Sequence, residues 1–401
     1  MAQVVIVGAG PAGATLALLL VKRGIFVKSI EASRDFRRSF RGEALVPSGL
    51  DALEQMGMAD FIHDLPHTYL DGWEVIIGDR SLFKVDEPLE ENGKACTLIS
   101  QPHLLEKLIA EASLYEEFEF INGEAVKDVI KNESGRVSGV KLANGREITA
   151  DLVIAADGRN SIVRQKAGLN LTQLSNNIDI LWFRLNAGSI FARENIFTSI
   201  VKNRNAFGAF KSSEGQLHIG WGLHAEDNLD WKQANWKEIL IAASPPWLAE
   251  HIVANVDRID KPLLLSVIIG LCDRWSQPGL LLLGDAVHPM SPIRAQGINM
   301  ALRDVIVAAN YIVPVLSKKD ISYDAIDAVL PCIRQEREPE IVRIQQLQQE
   351  EMAQAAKLRH IPLLRWGAKT FAPIISPFIT YSWLKRQKQL RQGITEVKLE
   401  V

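Results

Sequence analysis

The chain opens on an unbroken apolar, β-branched run, Val4-Val5-Ile6-Val7, then a helix-length stretch from Ala14 to Arg23 and a second apolar run from Ile25 to Ile30. Short continuous apolar runs read as buried strands of a parallel sheet, and the segment between them as a crossover helix. Pro47 can open a helix carrying Leu50, Leu53 and Met56 on one face and closing near Gly57. Trp73 to Ile77, Ser81 to Val85 and Thr97 to Ser100 read as short strands, and Gln101-Pro102 starts a helix with Leu104, Leu105 and Leu108 at helical spacing. From Phe118 to Ile148 the pattern is strand, turn and strand, with turns at Glu133-Ser134-Gly135 and Ala143-Asn144-Gly145. Asp151 to Ala156 is a buried strand that delivers Asp157-Gly158 to a loop.

From about Asn177 to Trp275 the texture changes to alternation of apolar and polar residues, as in Leu181-Trp182-Phe183-Arg184-Leu185 and Gln216 to Leu223. Alternation fits an antiparallel sheet with one covered face. Asn228 to Val253 reads as helical, interrupted by Pro245-Pro246. Gly279 to Leu283 is again a buried strand, ending at Gly284-Asp285, and Gly297 to Ile312 is a long helix with Pro314 as its stop. From Ser322 onward the pattern is helical, with an apolar section from Ile361 to Tyr381 in which Pro362, Pro373 and Pro377 break any long amphipathic helix. The expected fold class is α/β: a discontinuous Rossmann-like nucleotide-binding domain (1–72, 96–176 and 276–316), an inserted antiparallel-sheet substrate domain (73–95 and 177–275) and a helical C-terminal region (317–401). No internal repeat is visible.

The first strand ends in Gly8-Ala9-Gly10-Pro11-Ala12-Gly13. Gly8 permits the tight turn, Gly10 lets backbone approach a pyrophosphate, Gly13 lets the helix pack closely on the sheet, and the helix amino terminus offers N–H groups to the anion. Glu31 ends the next strand, eighteen residues after Gly13, where a carboxylate accepts hydrogen bonds from ribose hydroxyls and disfavours a 2′-phosphate. This predicts a dinucleotide site and leaves FAD and NAD both open.

Composition narrows the field. The 401 residues are 47% hydrophobic and 23% charged, as expected of a folded globular protein. The net charge of −3 makes no electrostatic case for nucleic acid. Cys96, Cys272 and Cys332 are widely spaced and match neither a disulfide framework nor a metal site, and no signal peptide precedes the first strand, so the expected location is cytoplasmic. No apolar run is expected to span a membrane.

Three separated stretches, Arg41-Gly42-Glu43 with Pro47, Asp157-Gly158-Arg159-Asn160-Ser161 with Arg164, and Gly284-Asp285-Ala286-Val287-His288-Pro289 with Gly297 and Asn299, resemble in this order the FAD-dependent aromatic hydroxylases of the para-hydroxybenzoate hydroxylase type. The resemblance runs from Val4 to about Val313. It implies an FAD-binding domain in which Gly8, Gly10, Ala12, Gly13 and Glu31 hold the pyrophosphate and ribose, and Arg41 lies along the cofactor. It further implies that Gln101 bonds near the ribityl and phosphate portion, Val126 holds adenine through backbone groups, Asp157 is the acid of the Asp-Gly motif and Asp285 bonds a ribityl hydroxyl. Gly297 and Ile298 would turn helix N–H groups toward the flavin. The implied activity is an NADH- or NADPH-consuming monooxygenase that uses molecular oxygen through a flavin C4a-hydroperoxide to hydroxylate an aromatic or other electron-rich, apolar small molecule. A monomer or homodimer is expected.

Competing readings stand beside these. An isoprenoid-type reductase or a non-catalytic FAD-binding redox protein shares the cofactor fold, whereas the Trp-x-Trp-x-Ile-Pro signature of flavin halogenases is absent. His288 reads as a structural histidine ahead of a general base, and Trp73, Trp182 and Trp221 as core ahead of pocket. Family members carry glycines where this chain has Arg294 and Ala295, which predicts a stiffer loop and a positive charge near the flavin or an acidic substrate. The tail from 361 to 390 combines apolar and aromatic residues with cations, so packing within the protein and peripheral membrane contact are both open.

Overall fold

The computed structural model describes residues 2–36, 43–91, 93–174, 178–255, 259 and 261–401. Six strands form the central sheet in the order Ser276–Gln277, Leu280–Leu282, Leu152–Ala155, Gln3–Val7, Phe26–Glu31 and Phe118–Asn122. All neighbours are parallel except the first pair. Gln3–Val7 sits in the middle because both of its faces are apolar. Val4 and Ile6 enter one core with the helices Pro11–Val21 and Gln296–Leu316, while Val5 and Val7 enter a second core with Val140, Met300 and Ile341. The chain leaves this strand for Phe26–Glu31 on one side and meets Leu152–Ala155 on the other. A crevice therefore opens at the carboxyl ends of these strands, where ligands bind in such sheets.

The alternating region forms a seven-stranded sheet, ordered Leu263–Leu265, Ile178–Asn186, Gln216–His224, Asn205–Lys211, Ile196–Lys202, Gly72–Ile77 and Arg80–Asp86. One pair departs from the antiparallel expectation: Ile196–Lys202 runs parallel to Gly72–Ile77. The two strands are far apart in sequence, so no hairpin forces them to run in opposite directions. Leu181, Phe183 and Leu185 face the helices Trp236–Ala243 and Pro246–Ala254 and form a core with Trp221 and Trp236. Ile180 and Trp182, on the opposite face, line a cavity.

Prolines are misleading punctuation here. Pro314 lies inside the helix Gln296–Leu316 instead of ending it, and Pro331 and Pro339 lie inside the 38-residue helix Tyr323–His360. Each removes one backbone bond, yet burial of Ile312, Val313 and Leu316 in one case, and of Leu330, Ile333 and Ile341 in the other, holds the helix together. Pro362 and Pro373 sit in the first turns of the helices Pro362–Thr370 and Ala372–Gln392, where the missing donor does no harm, and only Pro377 is interior. The segment Ile293–Leu316 is long and apolar enough to cross a membrane by composition, contrary to expectation, but 78% of its apolar 18-residue window is buried inside the protein and the segment carries Arg303 and Asp304.

Candidate cofactor and substrate site

The turn after the first strand is built by its glycines. Gly8 has φ +96°, and a Cβ there would lie 2.4 Å from the carbonyl oxygen of Ala156; at Gly13 it would lie 1.9 Å from that of Gly8. Gly10 differs, since a Cβ there would meet no protein atom within 4 Å and would project into open space. The helix Pro11–Val21 starts at Gly10 with no side-chain cap, which leaves its first N–H groups for a ligand. Beside it lies a cavity of about 360 Å³ whose walls include Gly8, Gly10, Glu31, Gln101, Val126, Asp157 and Asp285.

Glu31, Glu124, Asp157 and Asp285 line this cavity, and the surroundings of Glu31 and Asp157 show how it is built. Glu31 is buried and accepts hydrogen bonds from the backbone N–H of Ala9 (3.0 Å) and Ser33 (2.9 Å), which fix its orientation. Asp157 accepts from Val163 N (3.2 Å) through Oδ2, whereas its Oδ1 is buried without a hydrogen-bond partner in the protein. Burial accordingly pushes the Asp157 carboxyl above the usual range. A buried acceptor without a partner, an uncapped helix and an open glycine together fit a polar, anionic, elongated ligand such as a dinucleotide.

A second cavity, of about 420 Å³, continues from the first; Gly10, Gln101, Gly158, Arg159 and Asp285 line both. Its lining includes Ala12, Gly297 and Ile298 and the aromatic rings of Trp73, Trp182, Phe197, Phe207 and Phe210. Gly208 and Gly220 make room for these rings, because a Cβ at either would lie within 3 Å of Phe197 or Trp182. Trp73 and Trp182 thus combine core and pocket, while Trp221 belongs to the core alone.

The loop before the helix Gln296–Leu316 forms the floor, with Arg294 (φ +60°) and Ala295 (φ +51°) both left-handed. Each such residue costs about 1–2 kcal/mol unless its surroundings hold it. Buried Asn299 supplies one restraint, donating to Ala295 O (2.7 Å) and Ala44 O (3.1 Å) while accepting from Val46 N (3.0 Å). Gln348, from the long C-terminal helix, donates to Ser291 O (2.8 Å) and Ile293 O (2.7 Å). The Arg294 guanidinium pairs with Glu351 at 2.9 Å and lies over the rings of Trp73 and Trp383. The cation expected at this loop is therefore neutralised in place; burial opposes ionisation of Glu351, but Arg294 and Arg386 hold its carboxyl below the usual range.

His288 has the structural role: its Nε2 lies 2.6 Å from buried Asp304 and its ring packs on Trp275. Arg41 lies outside the described residues. Its motif partner Glu43 does face the cavity, accepting from Ser213 N and Oγ at 3.2 Å each. Burial pushes the Glu43 carboxyl up to about 7, reinforced by the Glu214 charge and opposed by the Ser213 bonds. The folded protein then holds a proton between pH 4.5 and about 7 that the unfolded chain has released, so this group lowers stability as pH rises through that window. Glu43→Gln is expected to remove that component. Thermal melts at pH 5 and pH 8 should show a smaller drop for the variant than for wild type, and equal drops would refute the assignment.

Residues 1–323 match the FAD binding domain family, and the chain belongs to it. It is 32% identical to 6-methylpretetramide 4-monooxygenase of Streptomyces rimosus over 89% of this chain and 85% of that protein. It is 27% identical to 6-hydroxynicotinate 3-monooxygenase of Pseudomonas fluorescens over 75% of this chain and 80% of that protein. In fold it is similar to P. aeruginosa PqsL, crystallised with 2-aminobenzoylacetate, with a TM-score of 0.77 and 21% identity over 93% of this chain and 99% of that one. The protein is an FAD-dependent, NAD(P)H-consuming monooxygenase of the aromatic-hydroxylase type. The reductase alternative is not favoured.

Proposed function

We propose that the substrate is a multi-ring, largely apolar phenolic compound, hydroxylated at the aromatic end of the trough. The observation that carries this is the aromatic end of the second cavity, walled by Trp73, Trp182, Phe197, Phe207 and Phe210, where the Arg294 guanidinium is neutralised by Glu351. Flat aromatic walls suit stacked fused rings, and a neutralised guanidinium offers little to a small carboxylate. The 32% identical relative, a 6-methylpretetramide 4-monooxygenase, points the same way.

In this reading the pyrophosphate of FAD lies against Gly8, Gly10, Ala12 and Gly13 at the start of Pro11–Val21, the adenosine ribose on Glu31 and adenine beside Val126. Gln101, Asp157 and Asp285 meet the phosphate and ribityl portion, and N–H groups at Gly297 and Ile298 stabilise negative charge on the ring. When bound, FAD accepts two electrons from NADH or NADPH and activates oxygen. The chain's own part is to dock the substrate between aromatic walls, keep bulk water from the reacting end and move a proton: Glu43 exchanges one with the substrate hydroxyl from the cavity wall. With no second Gly-x-Gly-x-x-Gly, the nicotinamide nucleotide binds transiently.

The test is a panel of polycyclic phenols against single-ring hydroxypyridine acids, scored by stimulated NAD(P)H oxidation. A polycyclic phenol should stimulate at least roughly tenfold more strongly, the scale set by apolar pocket contacts. Equal or better stimulation by the single-ring acids would overturn the assignment.

A further inference from the structure

Half of the exposed large apolar side chains of the described residues, eight of sixteen, fall between Ile361 and Tyr381. Leu363, Trp366, Ile374, Phe378 and Tyr381 are each more than half exposed, with Phe378 at 76%. Single exposed apolar residues are ordinary, but a cluster of this size on two consecutive helices marks an interaction surface. The helices beneath it are firmly seated. Trp383 is buried against Trp73 and Phe83, and buried Arg391 holds Glu87 (2.5 Å) and Glu90 (3.0 Å). The apolar face is thus presented by fixed structure rather than by a loose end.

Charge identifies the occupant. Residues 352–395 contain eight Lys and Arg and no Asp or Glu, in a chain whose net charge is −3. Arg359, Arg386 and Arg391 pair with acids inside the fold, and Arg365 donates to the carbonyls of Leu358 and Arg359. Lys357, Lys369, Lys385 and Lys388 are exposed and have no ion pair among the described residues. Apolar side chains that include Trp and Tyr, on a stretch of chain with lysines free of ion pairs and no acid of its own, match an anionic lipid surface. The centre of a protein interface is instead depleted in lysine. Pro362–Thr370 has nine residues, too few to cross a bilayer, and Ala372–Gln392 keeps one side buried in the protein. The contact is therefore interfacial.

We infer that the helices Pro362–Thr370 and Ala372–Gln392 dock the enzyme on an anionic bilayer surface, with Leu363, Trp366, Ile374, Phe378 and Tyr381 entering the headgroup region. The same elements pack on the strands Gly72–Ile77 and Arg80–Asp86 and, through Trp383, on Trp73 and Arg294 in the cavity wall. Docking would bring the substrate cavity close to the layer where apolar substrates dissolve. The inference does not depend on the substrate reading, because its readout is binding alone.

Flotation of the full-length FAD-loaded protein tests it, using vesicles of phosphatidylcholine with and without 30% phosphatidylglycerol (about a third anionic lipid, to give a strong surface potential). Wild type is expected to float with the anionic vesicles, less so at high salt and weakly with neutral ones. The combined variant Leu363→Ser, Trp366→Ser, Phe378→Ser should lose roughly tenfold or more of its partitioning while keeping FAD and its melting temperature. Lys369→Glu with Lys388→Glu, which leaves the apolar face intact, should lower binding to anionic vesicles only. Absence of flotation, or flotation unchanged in both variants, would overturn the inference. So would a dimer in light scattering that the serine variant dissolves while vesicles fail to bind wild type.

Discussion

Arg337→Met is expected to destabilise the protein by about 3–5 kcal/mol, the scale for removing one partner of a buried ion pair. Arg337 is fully buried and donates from Nε to Asp304 Oδ1 (2.8 Å) and from Nη1 to Glu340. Arg303 holds the other side of Glu340 at 3.0 Å. Burial works against ionisation of Glu340, but the two guanidinium groups bring its carboxyl down to about 2. Its stabilising contribution is therefore complete above about pH 4.5 and is lost as pH falls toward 2. Asp304 also accepts from Gly284 N (3.3 Å) and meets His288, so the network ties the loop bearing Asp285 to the C-terminal helices. Urea denaturation at pH 7 measures the effect. A loss below 1 kcal/mol would mean that Asp304 and Glu340 find other partners.

Gly13→Val is expected to yield protein without FAD. Its Cβ would lie 1.9 Å from the backbone oxygen of Gly8, so the helix Pro11–Val21 must move off the strand and take its amino terminus with it. Gly10→Ala separates folding from binding. Its Cβ meets no protein atom, so the apoprotein should melt as wild type does, while the added methyl occupies ligand space and FAD affinity falls. Flavin absorbance after desalting reads both variants. Full FAD occupancy in Gly13→Val, or unchanged affinity in Gly10→Ala, would place the pyrophosphate elsewhere.

Much of this was legible in the sequence because the signals are local. Val4 to Val7 is apolar on consecutive residues since both faces are covered, and the Gly8 to Gly13 spacing follows from turn geometry at one strand end. The alternation in Leu181-Trp182-Phe183-Arg184-Leu185 predicted a sheet with one covered face. That its other face lines a cavity depends on which distant elements pack there. Nothing local marks Glu351 as the partner of Arg294, or Arg337 as the hub of a buried network, because polar residues on a long helix usually face solvent. Glu43 stood beside Arg41 in a recognised motif, yet its burial beside Ser213 comes from the fold alone. Pro314 failed as a stop because tertiary burial outweighs one lost hydrogen bond.

The measurement closest to the centre of this account is turnover under ¹⁸O₂ with NADH or NADPH and a polycyclic phenol that stimulates nucleotide oxidation. A monooxygenase whose aromatic cavity holds that substrate should place one ¹⁸O atom in the product for each nucleotide oxidised. Nucleotide oxidation that yields only hydrogen peroxide, or a reduced substrate carrying no ¹⁸O, with every phenol in the panel would contradict it.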